Sequence, residues 1–170
     1  MWTVSKTDKL GKLGVRDRQQ DKEFQKGLVH KRHAQHQRQR LKADMEKVQQ
    51  GNQNDLLLLH DFTLLKVQGT FLQCYIFVLY SFNAAREDKL DRRYYLFLGP
   101  KKKNDVRFVI QGWKQLYQDG LLRDWNQIHV WSDGGGKHFK NSANMTFMSI
   151  LDTKLGGGKL TYNIFEAYHG

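Results

Sequence analysis

Two neighbouring runs constrain this chain more than anything else in it: "LLLLHDFTLLKV" at 56–67 and "TFLQCYIFVLYSF" at 70–82. Both are dense in leucine, β-branched and aromatic residues, the composition of half-buried or buried strands. Only Gln68 and Gly69 separate them. A two-residue connection of that kind makes a tight hairpin and requires the strands to run antiparallel. A third segment, "RRYYLFLG" at 92–99, ends at Gly99-Pro100 and extends the meander. The chain is therefore committed to a sheet, which its remaining elements must cover.

Beyond the meander the periodicity changes. Asn104 is suited to cap a helix in which Val106, Val109, Ile110, Trp113 and Leu116 share one face, with Gly120 closing it. "QIHVWS" at 127–132 reads as a fourth strand, residues 137–153 as a helix, "LGGGK" as a loop and "LTYNIFEAY" at 160–168 as a fifth strand. Strands reached through a helix add in parallel to the same sheet. The expected core, over residues 55–170, is an α/β fold with a mixed five-stranded sheet in the order β-β-β-α-β-α-β. Trp113 and Trp125 read as core side chains.

Ahead of this core the composition differs. Residues 1–16 read as a flexible lead-in, with Gly11 and Gly14 among polar residues. Residues 17–50 are rich in Gln, Lys, Arg, His, Glu and Ala, with Phe24/Leu28 and Leu41/Met45/Val48 at i, i+4 and i, i+4, i+7 spacing. That spacing predicts a long, basic helical arm with a thin apolar stripe, suited to weak docking or to pairing with another chain.

Charge narrows the choice of partner. The chain carries 28 Lys+Arg against 17 Asp+Glu, a net +11, and residues 1–49 hold 13 basic and six acidic side chains. An excess of this size favours a polyanion, above all nucleic acid, with an anionic membrane surface or solubility alone as the alternatives. The longest apolar run, Phe71 to Phe82, is broken by Gln73 and too short to cross a bilayer, and no signal-peptide pattern opens the sequence. The single cysteine, Cys74, excludes an intrachain disulfide and reads as a buried thiol. The expectation is an intracellular protein without a membrane partner, nuclear if eukaryotic.

Two carboxylates stand where ordinary packing would not put them. Asp61 interrupts the first strand, where an ionised group is costly unless it is paired, exposed or metal-bound. Asp133 ends the fourth. If strands one and four are parallel neighbours, the two converge and suit Mg2+ or Mn2+. The plainer alternatives are an exposed Asp61 on a half-buried strand and an Asp133 that caps the next helix. The glycines after Asp133 form no phosphate-binding loop, because G-x-x-x-x-G-K-[ST] is absent. His30, His33 and His36 drift around a helix and read as solvated residues of a basic arm rather than zinc ligands. His138 and His169 flank the expected cleft, and Ser132 has no base-plus-carboxylate set around it. Lys101, Lys102, Lys103 and Arg107 read as a solvated turn that could contact phosphates beside a nucleic-acid path.

"HVWSDGGGKHFKN" resembles the segment around the second catalytic aspartate of DDE/D transposases and integrases, where an apolar strand ends in Ser/Thr-Asp-x-Gly. It is closer still to a group of eukaryotic transposase-derived proteins that combine "H-D-F-T", "W-S/T-D-G-G-x-K-H-F-K" and an aromatic strand ending in "H-G". Here these are His60-Asp61-Phe62-Thr63, Trp131 to Lys140 and Tyr162 to Gly170. The resemblance covers roughly residues 20–170 and implies a ribonuclease H-like core that cleaves or joins DNA phosphodiesters. It implies Asp61 and Asp133 as metal-binding carboxylates for Mg2+ or Mn2+, with Lys137, His138 and Lys140 beside the DNA. The third acid of such sites departs from the pattern: in this group it lies beyond "H-G", where the sequence stops at Gly170. Glu166 is the acidic residue available near that end, on a strand rather than a helix. The expectation is a core cut short at its C-terminus, with weak metal binding. The alternative is a non-catalytic nucleic-acid-binding or assembly module derived from a transposase, with self-association through the arm left open.

Overall fold

The computed structural model describes residues 7–51, 54–100, 106–133 and 139–165; side chains are described from Lys22 onward, Phe24 and Pro100 excepted. The chain order is α1 (Thr7–Gln50), β1 (Leu56–Val67), β2 (Thr70–Phe82), β3 (Leu90–Pro100), α2 (Val106–Gln118), β4 (Ile128–Ser132), α3 (Ser142–Lys154) and β5 (Leu160–Ile164). The five strands form one sheet in the order β3-β2-β1-β4-β5. β1, β2 and β3 are antiparallel neighbours, while β4 adds parallel to β1 and β5 parallel to β4. This is the mixed five-stranded α/β sheet expected from the sequence, with a helical arm in front.

The β1–β2 hairpin turns on two residues in the left-handed region, Gln68 (φ 47°) and Gly69 (φ 80°). Consecutive positive φ values give the turn whose twist matches that of the flanking strands. Gly69 meets it without the Cβ clash another residue would suffer there.

Alternation along the strands gives the sheet two distinct faces. Leu56, Leu58, Tyr75, Phe77, Leu79, Ile128 and Val130 look one way and form the main core with Val109, Trp113 and Leu116 of α2 and Met148 and Leu151 of α3. Trp125 packs at its margin, donating its indole N–H to the Leu121 carbonyl at 2.9 Å. Leu57, Leu90 and Trp131 look the other way and receive Val48 of α1, with Leu41 and Met45 packed against them. Cys74 is buried in β2.

Several boundaries differ from the sequence reading. α1 begins at Thr7, so the helix takes in residues 7–16, which composition assigned to a flexible lead-in. α3 starts at Ser142 rather than 137, because Asn141 caps it by accepting the Asn144 N–H at 2.9 Å. Asp133 is therefore not its cap. β3 begins at Leu90, two positions early, and β5 ends at Ile164 rather than 168. The expected Asn104 cap lies outside the described residues.

Candidate active site

The parallel register of β1 and β4 decides where the two aspartates go. Its last pair is His60 with Ser132, so Asp61 and Asp133 are the next residues of adjacent strands. Neighbouring strands lie about 4.8 Å apart, and residues in register point to the same face. Both carboxylates line one cleft of about 210 Å3, together with Leu59, His60, Ile76, Val78, Trp131, Ser132 and Phe165. Desolvation by the cleft walls raises the Asp61 pKa, and the Asp133 charge raises it further, while the Phe62 N–H, 2.6 Å from Asp61 Oδ1, acts against both. Asp61 remains exposed at the mouth of the cleft.

The residues flanking Asp61 serve the opposite face. His60 is buried, accepts or donates a hydrogen bond with the Tyr75 hydroxyl at 2.9 Å from Nδ1, and sits among Phe77, Trp113, Phe139 and Tyr162. Burial lowers its pKa to about 3, so its ring is neutral across the ordinary pH range. Phe62 stacks on Phe139, with ring centroids 5.5 Å apart. In "H-D-F-T", therefore, the His60 and Phe62 side chains anchor the strand in the core and the Asp61 carboxylate turns to the cleft. Phe139 of "K-H-F-K" does the same for the segment after β4, being buried against both rings.

Of the other sequence candidates, Arg107 opens α2 and is exposed, and Lys140 is exposed beside the α3 cap. Lys101, Lys102, Lys103, Lys137, His138, Glu166 and His169 lie outside the described residues. Among the described residues, no group of three or more His, Cys, Asp and Glu is placed to hold a metal ion. The cleft brings together two carboxylates, hard-oxygen groups of the type Mg2+ and Mn2+ accept.

Sequence reasoning missed the network that seats α1 beside this cleft. Asp44 is buried and accepts the Trp131 indole N–H at 3.0 Å. His129 lies between Asp44 and Asp55, at 3.6 and 3.5 Å, near enough for charge attraction but long for hydrogen bonds. Nearer the N-terminus, Arg40 donates to the Asn163 side chain at 3.2 Å and Gln37 to the Ile164 carbonyl at 3.0 Å. The available signal was Asp44 itself, a carboxylate inside the Leu41/Met45/Val48 stripe.

No family model matches the chain, and no curated protein matches it either. Among solved structures it is similar to a chain of the simian T-cell lymphotropic virus intasome in complex with the PP2A regulatory subunit B56 gamma (15% identity, 64% of this chain and 31% of that one, TM-score 0.41). It is also similar to LC9-RNase H1, a type 1 RNase H with the type 2 active-site motif (11% identity, 69% and 65%, TM-score 0.39). A third likeness is to Kluyveromyces polysporus Argonaute with a guide RNA (16% identity, 72% and 15%, TM-score 0.33). The chain spans less than two thirds of each of these. The likenesses are slight, and what each of those proteins binds is a property of that protein.

Proposed function

We propose that this chain is a transposase- or integrase-like core acting on DNA phosphodiesters, with Asp61 and Asp133 as its metal-binding carboxylates. The observation that carries the reading is their juxtaposition: two acids, 72 residues apart in sequence, end up at the ends of adjacent parallel strands in one cleft, where the Asp133 charge helps to raise the Asp61 pKa. Desolvation and a neighbouring carboxylate both disfavour the charge on Asp61, and a bound cation would relieve both, which supports reading the pair as a site. Mg2+ or Mn2+ held by Asp61 and Asp133 would supply charge stabilisation at a phosphoryl oxygen and activation of the attacking hydroxyl or water. Lys140 and Arg107, with Lys101, Lys102, Lys103, Lys137 and His138, would contact the DNA backbone. Glu166 is the candidate third acid.

A second reading, a nucleic-acid-binding or assembly module without catalysis, is favoured by the absence of a third ligand among the described residues. Nicking of supercoiled DNA in Mg2+ or Mn2+ separates the two. Cleavage that disappears in both Asp61→Asn and Asp133→Asn supports the enzyme, and its loss in Glu166→Gln supplies the third acid. DNA binding without metal-dependent cleavage supports the module instead.

A further inference from the structure

The sheet face that carries Asp61 is only partly covered. α1 crosses it diagonally, from β5 at Gln37 and Arg40 to the β2–β3 connection at Gln49, and packs Val48 on Leu57 and Leu90, leaving open the part of β2 and β3 that runs toward Leu98. On that side Tyr94, Leu96 and Leu98 of β3 are 60%, 54% and 54% exposed, so the edge strand presents three large apolar side chains in a row. They are in register with Val78, Ile76 and Cys74 of β2, and those with Leu59, Asp61 and Thr63 of β1. The open face is thus a continuous apolar floor that runs up to the Asp61 carboxylate. A strip of this size on a strongly charged chain marks a contact surface.

The wall of this trough is cationic, and two hydrogen bonds fix which flank of α1 forms it. Arg40 and Gln37 reach Asn163 and Ile164 of β5, so their flank looks toward β5. Gln49 reaches the Asp88 carbonyl in the β2–β3 connection at 3.2 Å, so its flank looks toward β2 and β3. Lys42, Arg38 and Lys31 precede Gln49 by seven, eleven and eighteen residues, spacings that stay on one flank of an α-helix. All three are exposed. Lys42 makes only a loose contact with Glu46, at 3.7 Å. Between Phe24 and Ala43 the helix has no acidic residue at all. At the far end Arg92 is paired with the Asp88 carboxylate and lies 5.8 Å from the Tyr80 ring, so the free positive charge of the wall is that of α1.

A basic wall beside an apolar and aromatic floor suits a polyanion that also offers apolar faces. A duplex turns its phosphates outward and stacks its bases inside, which would leave Tyr94, Leu96 and Leu98 facing backbone. A single strand presents both, phosphates to the cations and base faces to the floor. We infer that the trough between the Lys31–Arg38–Lys42 flank of α1 and the open face of β2 and β3 binds single-stranded nucleic acid and leads it to Asp61. The inference rests on the nucleic-acid reading of the cleft and narrows it to an unpaired strand or frayed end.

The test is fluorescence anisotropy in EDTA with a short labelled oligothymidylate and a blunt duplex of equal length. The single strand should bind more tightly. The combined Lys31→Gln, Arg38→Gln, Lys42→Gln variant should weaken it by roughly tenfold or more at low salt and lower the salt slope by about 2, at ~0.7 per phosphate contact. Tyr94→Ala should cost roughly tenfold while Tyr94→Phe retains affinity, as stacking requires. Preference for the duplex, or full affinity in both Tyr94→Ala and the triple variant, overturns the inference. So does self-association in sedimentation that Leu96→Ser abolishes while oligothymidylate binding is untouched, because the strip would then belong to a second copy. Binding is read without metal, so absence of cleavage would overturn the proposed function and leave this result standing.

Discussion

His60 and Asp61 are adjacent in sequence and have opposite electrostatic requirements, because alternation sends one into the aromatic core and the other into the cleft. The depressed His60 pKa means the folded state resists a proton that the unfolded chain accepts near pH 6.5. Stability from this group is complete above that value and is lost as pH falls toward about 3. In urea unfolding between those limits, the free energy should fall by roughly 1.4 kcal/mol per pH unit from this residue. His60→Gln should remove that slope; an unchanged slope would mean the ring is not buried neutral. Asp61 has the reverse sign. Its folded pKa is raised, so its contribution is present below the ordinary 3.8 and lost as pH rises through the folded value. At pH 7 in EDTA, Asp61→Asn should therefore be more stable than the native chain, with the gap closing in acid. The carboxyl is solvent-accessible and screened, so the gain in Tm should be small, on the order of 1–2 °C. Adding Mg2+ should raise the native Tm and leave the variant's alone; equal responses would count against Asp61 as a ligand. Asp61 was legible as an anomaly because a charge interrupted an apolar run. The burial of His60 was not, since sequence cannot say which residue of the pair the pleat turns inward.

The elements differ in how firmly their sequences specify their packing. α2 carries an apolar stripe complete enough to be read directly, yet the feature that sets its distance from the sheet is Gly112. A Cβ there would stand 2.9 Å from the Phe77 and Tyr75 rings, which are fully buried and unable to retreat. Gly112→Ala would gain about 0.5–1 kcal/mol of helix propensity and lose about 1–3 kcal/mol to overpacking. The expected net result is a lower urea midpoint. Gly27 in α1 meets nothing within 4 Å, so Gly27→Ala should be neutral or stabilising by the same propensity. The seat of α1 is polar: Asp44→Ala would leave the buried Trp131 N–H without its acceptor, a loss of about 1–3 kcal/mol. Asp44→Asn, which keeps a carbonyl for Trp131, should recover part of it. Polar seats of this kind escape periodicity arguments, because hydrophobic patterning does not register a carboxylate that finds its donor 87 residues away. The start of α3 escaped for a related reason: several residues before it could serve as a cap, and only tertiary placement selects Asn141.

At the scale of the molecule, the sheet divides the chain's work between its faces. One side is closed by α2 and α3 into an aromatic core; the other is shared between a polar helix and an open apolar strip, with the two aspartates where these meet. The strand order was readable because hairpin and helical connections leave few topologies. The course of α1 was not, because a stripe as thin as Leu41/Met45/Val48 on an otherwise polar helix does not say which surface it covers. That polarity also dictates how stability is distributed along it. Residues 37–50 are tied to the sheet by Gln37, Arg40, Asp44 and Val48. Residues 22–33 are mostly exposed, and an isolated helix of such length and composition is marginal in water. Native-state hydrogen exchange should therefore show a gradient. Amides of β1, β2 and β4 should exchange slowest, near the global unfolding limit; those of 37–50 should follow them closely; those of 22–33 should exchange faster by orders of magnitude through local fraying. Saturating oligothymidylate in EDTA should slow the 22–33 segment selectively if Lys31 and its neighbours grip a backbone. Uniform protection along the whole of α1 in the free protein would show that the arm is packed over its full length, and the wall of the trough would have to be redrawn.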